Sequence, residues 1–477
     1  MPPNPTPQPQ IPIHKINLSS PPQTRYTALA QLYRPKLLSI TSLFDSLVLD
    51  IFPPQSLPYI KFLARIFLRR VYDDEETLEI RGIADAAGVD VYLVVCFNVL
   101  LDLLMGCTSG GVLSSLSSSS SSYSRDEDED RKPRMLHFRT LDWDMPALRA
   151  LLVQLEYTTK SPTGEETTIA TNITYVGFVG VLTGVRRGLS VSLNFRPNHD
   201  GSSWWNQIRY YSGHALVLLG FRRSISSVLR GVVVPSTNRS ATWLESVSRG
   251  VWGRELKAKE EVHELSLTDT VSRILRMPST ACYLILCDGR RTYVLEKDYK
   301  TTTVESSSSF IVATNNDCGM EVPSSDPSAR EEHPGASLIV GDAVSVVEFI
   351  KDSIERRECM QAHWDMKVAR ARQAARRASQ GLDENLHARR DPLRRTRSSR
   401  RQDTAVVSSS APASSGIPSE PEVTATLDEI VTWTTRYPTT NEMTHFATVM
   451  DPVKGTVAWI RRYLEPLECD WDMTDFD

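Results

Sequence analysis

The sequence predicts an α+β protein in which sheets are layered with helices. The first hundred residues carry apolar side chains about every 3.6 positions, as at Leu29, Leu32 and Leu47, and this spacing is typical of helices. From Cys107 the pattern changes to short apolar segments separated by turn residues, which is typical of strands. Helical segments and then strands follow again toward the C-terminus. This order of elements favours sheets packed against helices.

Four helical regions are predicted before Cys107. The last one is apolar on all sides, so we expect it to be buried and to lead the chain to Cys107 from the interior. Two interpretations remain open for residues 57–72, which combine basic and apolar side chains. This helix either packs its apolar side, with Ile60, Leu63, Phe67 and Val71, on the core, or docks on an anionic lipid surface. The four regions are residues 25–50, 57–72, 74–88 and 91–104.

A hairpin with an enlarged tip is predicted around Cys107. Its strands are Cys107–Leu113 and Arg134–Asp142, and the serine-rich, charged segment 114–133 between them has too few apolar side chains to pack. Pairing of the two strands would bring Cys107, Arg139 and Asp142 together.

Further strands and helices are predicted after this hairpin. The strands are residues 150–159, 167–175, 189–194, 281–287, 292–296, 309–315, 444–451 and 455–463. The helical regions are 204–233, 243–256, 268–275 and 337–363. A second insertion, residues 366–424, is basic over 370–401 and then rich in serine and proline, so we expect it to be disordered. It is either a solvated linker or a basic tether to anionic membrane or nucleic acid.

Composition limits the possible partners and cofactors. The 477 residues are 40% hydrophobic, which supplies a core, and the net charge of -4 gives no reason to expect a nucleic-acid partner. None of the seven cysteines forms a CxxC pair, so a zinc site is not predicted, and we expect no cofactor. Residues 1–12 contain no apolar segment of the kind found in secretory signals, which predicts an intracellular location.

Several motifs occur in an order that points to one family. Met105-Gly106-Cys107-Thr108-Ser109 is followed by His137-Phe138-Arg139-Thr140-Leu141-Asp142. The others are Ile16-Asn17-Leu18-Ser19-Ser20-Pro21-Pro22, Glu79-Ile80-Arg81-Gly82-Ile83-Ala84, Phe97-Asn98, the glycine-rich segment 175–184 and Ala313-Thr314-Asn315-Asn316-Asp317. Together they resemble the acid ceramidase and N-acylethanolamine acid amidase family, the cysteine N-terminal-nucleophile hydrolases of the choloylglycine hydrolase type.

The resemblance implies a four-layer αββα sandwich and a cut between Gly106 and Cys107. Residues 1–24 would be a flexible N-terminus and residues 25–106 a helical segment like the family's smaller subunit. Residues 107–477 would form the hydrolase domain with its two insertions. The cut would leave two fragments of one chain, and the resemblance also implies a lysosomal or vacuolar location.

The resemblance also assigns roles to individual residues. Cys107 would be the nucleophile, and its freed α-amine would be the base that takes the thiol proton. Arg139 would favour the thiolate, Asp142 would accept hydrogen bonds from the amine, and Asn315 would donate to the oxyanion. Arg356 matches a family arginine of the same site. Asn194, Trp204 and Trp205 are predicted to bind substrate.

Three functions remain open at this point. The first is hydrolysis of ceramide to sphingosine and fatty acid, and the second is the same chemistry on N-acylethanolamines. The third is a lipid-binding relative that is never cut. It is suggested by Phe195, which stands where the family has a glutamate, and by Gly106, where the family more often has a bulkier residue.

Overall fold

The fold is known from a computed structural model, which describes residues 10–100, 106–115, 132–161, 163–234, 266–320, 343–390 and 422–467. The helices are α1 (Thr27–Leu32), α2 (Arg34–Leu37), α3 (Ile40–Ile51), α4 (Leu57–Phe67), α5 (Asp74–Ala87), α6 (Val91–Leu100), α7 (Trp204–Leu218), α8 (Ile225–Val233), α9 (Leu267–Arg276), α10 (Ala343–Arg390) and α11 (Leu427–Thr435). Pro54–Ser56 and Pro146–Leu151 are short 3-10 helices.

Two sheets contain all the named strands of the described residues. The larger has eight strands in the order β1-β4-β5-β6-β7-β8-β9-β10, and the smaller has five in the order β11-β2-β3-β12-β13. The strands are β1 (Ile13–Asn17), β2 (Gly106–Ser114), β3 (Arg134–Asp142), β4 (Leu152–Lys160), β5 (Glu166–Tyr175), β6 (Thr183–Arg186), β7 (Leu189–Phe195), β8 (Ser279–Cys287), β9 (Thr292–Tyr299), β10 (Thr301–Ser307), β11 (Phe310–Ala313), β12 (Thr444–Asp451) and β13 (Thr456–Arg462).

The two sheets lie face to face between two groups of helices. Successive side chains on a strand point to opposite faces. On β7, Val191 and Leu193 join the large core that includes α8, whereas Ser190 and Ser192 bond to His137 of the other sheet. The outer face of the smaller sheet packs on α10 and α11. The layers are therefore helix, sheet, sheet and helix, which confirms the predicted αββα arrangement.

Pairing of neighbouring strands follows the sequence predictions closely. The hairpins β2–β3, β8–β9 and β12–β13 all form where they were expected. The predicted helical region 204–233 is two helices, because Gly220 adopts a left-handed conformation (φ 71°) after α7. β10 and α11 were not predicted, and β10 is a largely exposed edge strand without apolar alternation. The predicted helix 243–256 lies outside the described residues.

Two parts of the predicted domain scheme need correction. Residues 13–17, assigned to a flexible N-terminus, form β1 and pair in parallel with β4, because Ile16 is buried in the main core. The predicted disordered insertion 366–424 is helical as far as Arg390, since alanine, arginine and glutamine are strong helix formers. Of segment 114–133, residues 116–131 lie outside the described part of the chain.

The structure contradicts part of the core-packing interpretation of residues 57–72, and contact of helix α4 with lipid stays a prediction. It ends at Phe67, and its basic residues are paired, Lys61 with Asp45 and Arg65 with Asp90. Core packing is wrong for Leu63 and Phe67, which were expected inside. The apolar side chains that α4 exposes are Tyr59, Phe62, Leu63, Ile66 and Phe67. In the described part of the chain, no helix is both long and apolar enough to cross a membrane.

Candidate active site

The β2–β3 hairpin brings the two main sequence motifs together at one end of the smaller sheet. Gly106 is paired with Asp142, and Cys107 with Leu141. Because side chains alternate along a strand, Arg139 and Asp142 project from opposite faces of β3. The thiol of Cys107 meets Arg139 between the two sheets, whereas Asp142 lies on the side of α10.

The Cys107 thiol is fully buried and faces a buried guanidinium. Its Sγ lies 3.2 Å from Arg139 Nη2 and 3.9 Å from the carbonyl oxygen of Leu193. Arg139 is held in place by donating to the carbonyls of Leu182 and Leu193, each at 2.8 Å. Burial raises the pKa of the Cys107 thiol to about 11, although the Arg139 charge acts in the opposite direction.

Asn315 accepts a hydrogen bond from the backbone nitrogen of Cys107. Strand β11 stops at Ala313, opposite Ser109, and the side chain of Asn315 continues the pairing, with Oδ1 2.7 Å from the Cys107 nitrogen. The Asn315 Nδ2 donates to the carbonyl of Phe195 at 2.8 Å. This arrangement differs from the expected oxyanion donor, because the amide group that would donate is bonded to Phe195.

Asp142 is held by two partners from distant parts of the chain. Its Oδ2 lies 2.6 Å from Arg356 Nη1 on α10, and its Oδ1 accepts from the hydroxyl of Thr444 at 2.7 Å. Arg356 also donates to Asn315 Oδ1 at 3.2 Å, so it links the carboxylate to the residue that contacts Cys107. Burial raises the pKa of Asp142, and the Arg356 charge opposes that shift.

The three residues predicted to bind substrate are not gathered around the thiol. Asn194 is buried, where it accepts from Ser109 and donates to the carbonyls of Ala313 and Thr314. Trp204 and Trp205 begin α7 at the surface and are 61% and 63% exposed. Asn194 therefore supports the Asn315 turn, and the two tryptophans belong to an exposed apolar surface.

Sequence reasoning missed two hydroxyl residues of this site. Thr444 bonds to Asp142, and Ser353 of α10 accepts from the backbone nitrogen of Asn315 at 2.7 Å. A single serine or threonine carries no pattern that marks such a role. Within the described ranges, no three His, Cys, Asp or Glu side chains are placed to hold a metal ion.

Comparisons with known proteins find similarity to acid ceramidases and to an N-acylethanolamine-hydrolyzing acid amidase. Residues 9–72 match the family model described as the beta subunit of N-acylethanolamine-hydrolyzing acid amidase. The acid ceramidase of Mus musculus is 29% identical over 212 residues, which are 41% of this chain and 48% of that protein. The acid ceramidase of Heterocephalus glaber is 26% identical over the same length.

The chain spans about half the length of the curated relatives that it matches. Among solved structures, the Caenorhabditis elegans N-acylethanolamine-hydrolyzing acid amidase ortholog matches with a TM-score of 0.36 and 16% identity, covering 73% of this chain and 93% of the other. In sequence, the chain is therefore similar to the acid ceramidases over 41% of its length and to the beta subunit of N-acylethanolamine-hydrolyzing acid amidase over residues 9–72.

Proposed function

We propose that the chain is a lipid amide hydrolase whose nucleophile is Cys107, freed as an N-terminal residue by cleavage after Gly106. The observation that carries the proposal is the buried thiol 3.2 Å from Arg139, with the nitrogen of the same residue held 2.7 Å from Asn315. Nucleophile and prospective base are thus oriented by separate partners. An amide nitrogen cannot take the thiol proton, whereas an α-amine with a pKa of about 7.7 to 8 can.

The reaction would proceed through a thioester. The amine takes the thiol proton, the thiolate attacks the substrate carbonyl, and the carbon–nitrogen bond breaks as the leaving amine receives that proton. Water then attacks the thioester, which releases a fatty acid and restores the thiol. For Asn315 to donate to the oxyanion, its Nδ2 would leave the carbonyl of Phe195, to which it donates at 2.8 Å.

Ceramide is the first substrate that we propose, because the curated relatives at 26–29% identity are named acid ceramidase. N-acylethanolamines are the second candidate, because the family model matched by residues 9–72 is described for an amidase of these compounds. A non-cleaving lipid-binding protein is the third. Phe195 favours it, since its buried ring packs 6.3 Å from the ring of Phe349 and supplies no carboxylate.

A lipid surface is the partner that we propose for helix α4. Its outward side chains are apolar and include Phe62 and Phe67, while the charges of Lys61 and Arg65 are paired with carboxylates. Contact through this helix would therefore depend more on apolar burial than on attraction to anionic lipid. Its exposed apolar surface suits an enzyme whose substrate arrives from a lipid phase.

Intact mass before and after incubation at mildly acidic pH tests the proposal. We expect two fragments, one beginning with Cys107, and a single unchanged mass for Cys107→Ala. The cut protein is then assayed on ceramide and on an N-acylethanolamine, with release of sphingosine or ethanolamine as the readout. A chain that stays whole, together with no release from either substrate, would refute the hydrolase and favour the lipid-binding alternative.

A further inference from the structure

An ion pair holds the turn that carries Asn315. Asp317 lies two residues after Asn315, and both of its carboxylate oxygens are bound by Arg196, with Nε and Nη2 each at 2.8 Å. The hydroxyl of Tyr283 donates to the same carboxylate at 2.7 Å, and the Arg196 guanidinium lies 5.7 Å from the Tyr283 ring centroid. A bidentate pair fixes direction as well as distance.

This ion pair is the second contact between the turn and the end of β7. The carbonyl of Phe195, at the end of β7, accepts from Asn315 Nδ2, and Arg196 follows immediately. The turn is thus attached to β7 by a side-chain amide and by an ion pair. Together the two contacts leave Asn315 Oδ1 directed at the Cys107 nitrogen, 2.7 Å away.

Helix α10 holds the opposite side of the same turn. Ser353 accepts from the backbone nitrogen of Asn315, and Arg357 donates to the carbonyl of Asp317 at 3.2 Å. The turn is therefore clamped between β7 and α10. Arg196 and Asp317 also line a cleft of about 290 Å³.

We propose that Arg196 and Asp317 are positioning residues, which keep Asn315 in line with the nitrogen of Cys107. This proposal rests on the proposed amide hydrolysis for its kinetic consequences. Neither residue contacts the thiol, so their effect is on the rate of cleavage and turnover and not on substrate affinity. Misplacement of a reacting group by about 1 Å can lower a rate by about 10²-fold.

Three single substitutions separate positioning from general support. Arg196→Lys keeps the charge but cannot form two parallel bonds, and Asp317→Asn keeps the shape but loses the charge. Arg223→Lys is the matched control. Arg223 pairs with Asp73 at 2.8 Å and lies 5.6 Å from the Tyr72 ring centroid, and neither partner belongs to the Cys107 site. It thus reproduces the ion pair and the aromatic contact of Arg196 outside the site.

The first readout is independent of activity. Hydrogen exchange at the Cys107 amide in the uncut chain reports its bond to Asn315, so we expect faster exchange in Arg196→Lys and Asp317→Asn than in Arg223→Lys. For the cut protein we expect kcat of Arg196→Lys and Asp317→Asn to fall about 10- to 100-fold, with KM within about twofold of the parent. The urea unfolding midpoints of both variants should equal that of Arg223→Lys.

The possible results separate two kinds of failure. Unchanged exchange at Cys107 in both variants would overturn the positioning proposal, whether or not the parent is active. A loss of kcat that only follows the loss of stability would also overturn it. If the parent neither cuts itself nor hydrolyses either amide, the proposed function fails, and hydrogen exchange alone decides whether the pair positions Asn315.

Discussion

Replacing Glu79 by glutamine should destabilise the fold more than any comparable change at the surface. Glu79 is fully buried on α5 between two arginines. Arg25 Nη1 lies 2.7 Å from its Oε1, and Arg230 of α8 contacts both oxygens, with Nη2 to Oε1 at 2.7 Å. Glutamine keeps the volume but removes the only charge shared by both guanidiniums in the described structure.

The expected loss of stability depends on the bonds that Arg25 and Arg230 keep in the variant. Removing one partner of a buried ion pair costs about 3–5 kcal/mol. Arg25 keeps its bond to Glu75, and Arg230 keeps its bond to the carbonyl of Val179, so we expect the lower end, about 3 kcal/mol. Glu355→Gln is the matched control, because its pair with Lys351 is exposed and 3.8 Å long. Such a pair contributes about 0.3–0.5 kcal/mol.

Urea unfolding followed by tryptophan fluorescence provides the measurement, in a Cys107→Ala background that keeps the chain whole. We expect a large shift of the midpoint for Glu79→Gln and almost none for Glu355→Gln, with unchanged slopes. Equal midpoints for the two variants would refute the reasoning. The ion pairs of Glu79 with Arg25 and Arg230 also join residues before Gly106 to a residue after it. In a cut protein, Glu79→Gln should therefore weaken the association of the two fragments, measured by size exclusion.

Three further predictions concern pH, lipid and the candidate site. Burial raises the pKa of Glu76 from 4.5 to about 7, so its contribution to stability falls as pH rises between these values. The free energy of unfolding of Glu76→Gln should therefore exceed that of the parent by about 3 kcal/mol at pH 8 and equal it at pH 4. A difference that does not depend on pH would contradict this. Phe62→Ser with Phe67→Ser should abolish sedimentation with neutral phospholipid vesicles, and unchanged binding would exclude α4 as the contact. Thr444→Val removes a hydrogen bond that favours the ionised form of Asp142, so the carboxyl pKa measured by NMR should rise further, whereas an unchanged value would contradict the bond.

The use of pH in the Glu76 test depends on comparing variant with parent. Burial lowers the pKa of His137 from 6.5 to about 3, so the folded chain binds fewer protons there than the unfolded chain. Its contribution to stability is therefore lost as pH falls below 6.5, opposite in sign to that of Glu76. The difference between Glu76→Gln and the parent removes this shared histidine effect.

The elements around Cys107 could be predicted from the sequence because their signals are local. Apolar strands with a polar tip between them indicate a hairpin, and the hairpin alone puts Arg139 beside Cys107. Local pattern did not reveal the partners of Asp142, since packing of distant strands and helices brings Thr444 and Arg356 to it. Arg356 was assigned to the site only through the family resemblance, and Thr444 was not predicted. Likewise, the exposure of Trp204 depends on which side of α7 packs on the sheet.

The environment of the thiol supports the proposal that an N-terminal amine acts as its base. With a pKa of about 11, a thiol is about 10⁻⁴ ionised at pH 7, so Arg139 alone does not supply a thiolate. The described polar contacts of the Cys107 side chain are the Arg139 guanidinium, the Leu193 carbonyl and the backbone of Asp142, and none of them takes a proton from a thiol. The nearby carboxylate of Asp142 has both oxygens bonded, to Arg356 and Thr444. Among the described residues, the nitrogen of Cys107 itself is thus the group that we propose as base, and only a cut before Cys107 would give it a free electron pair.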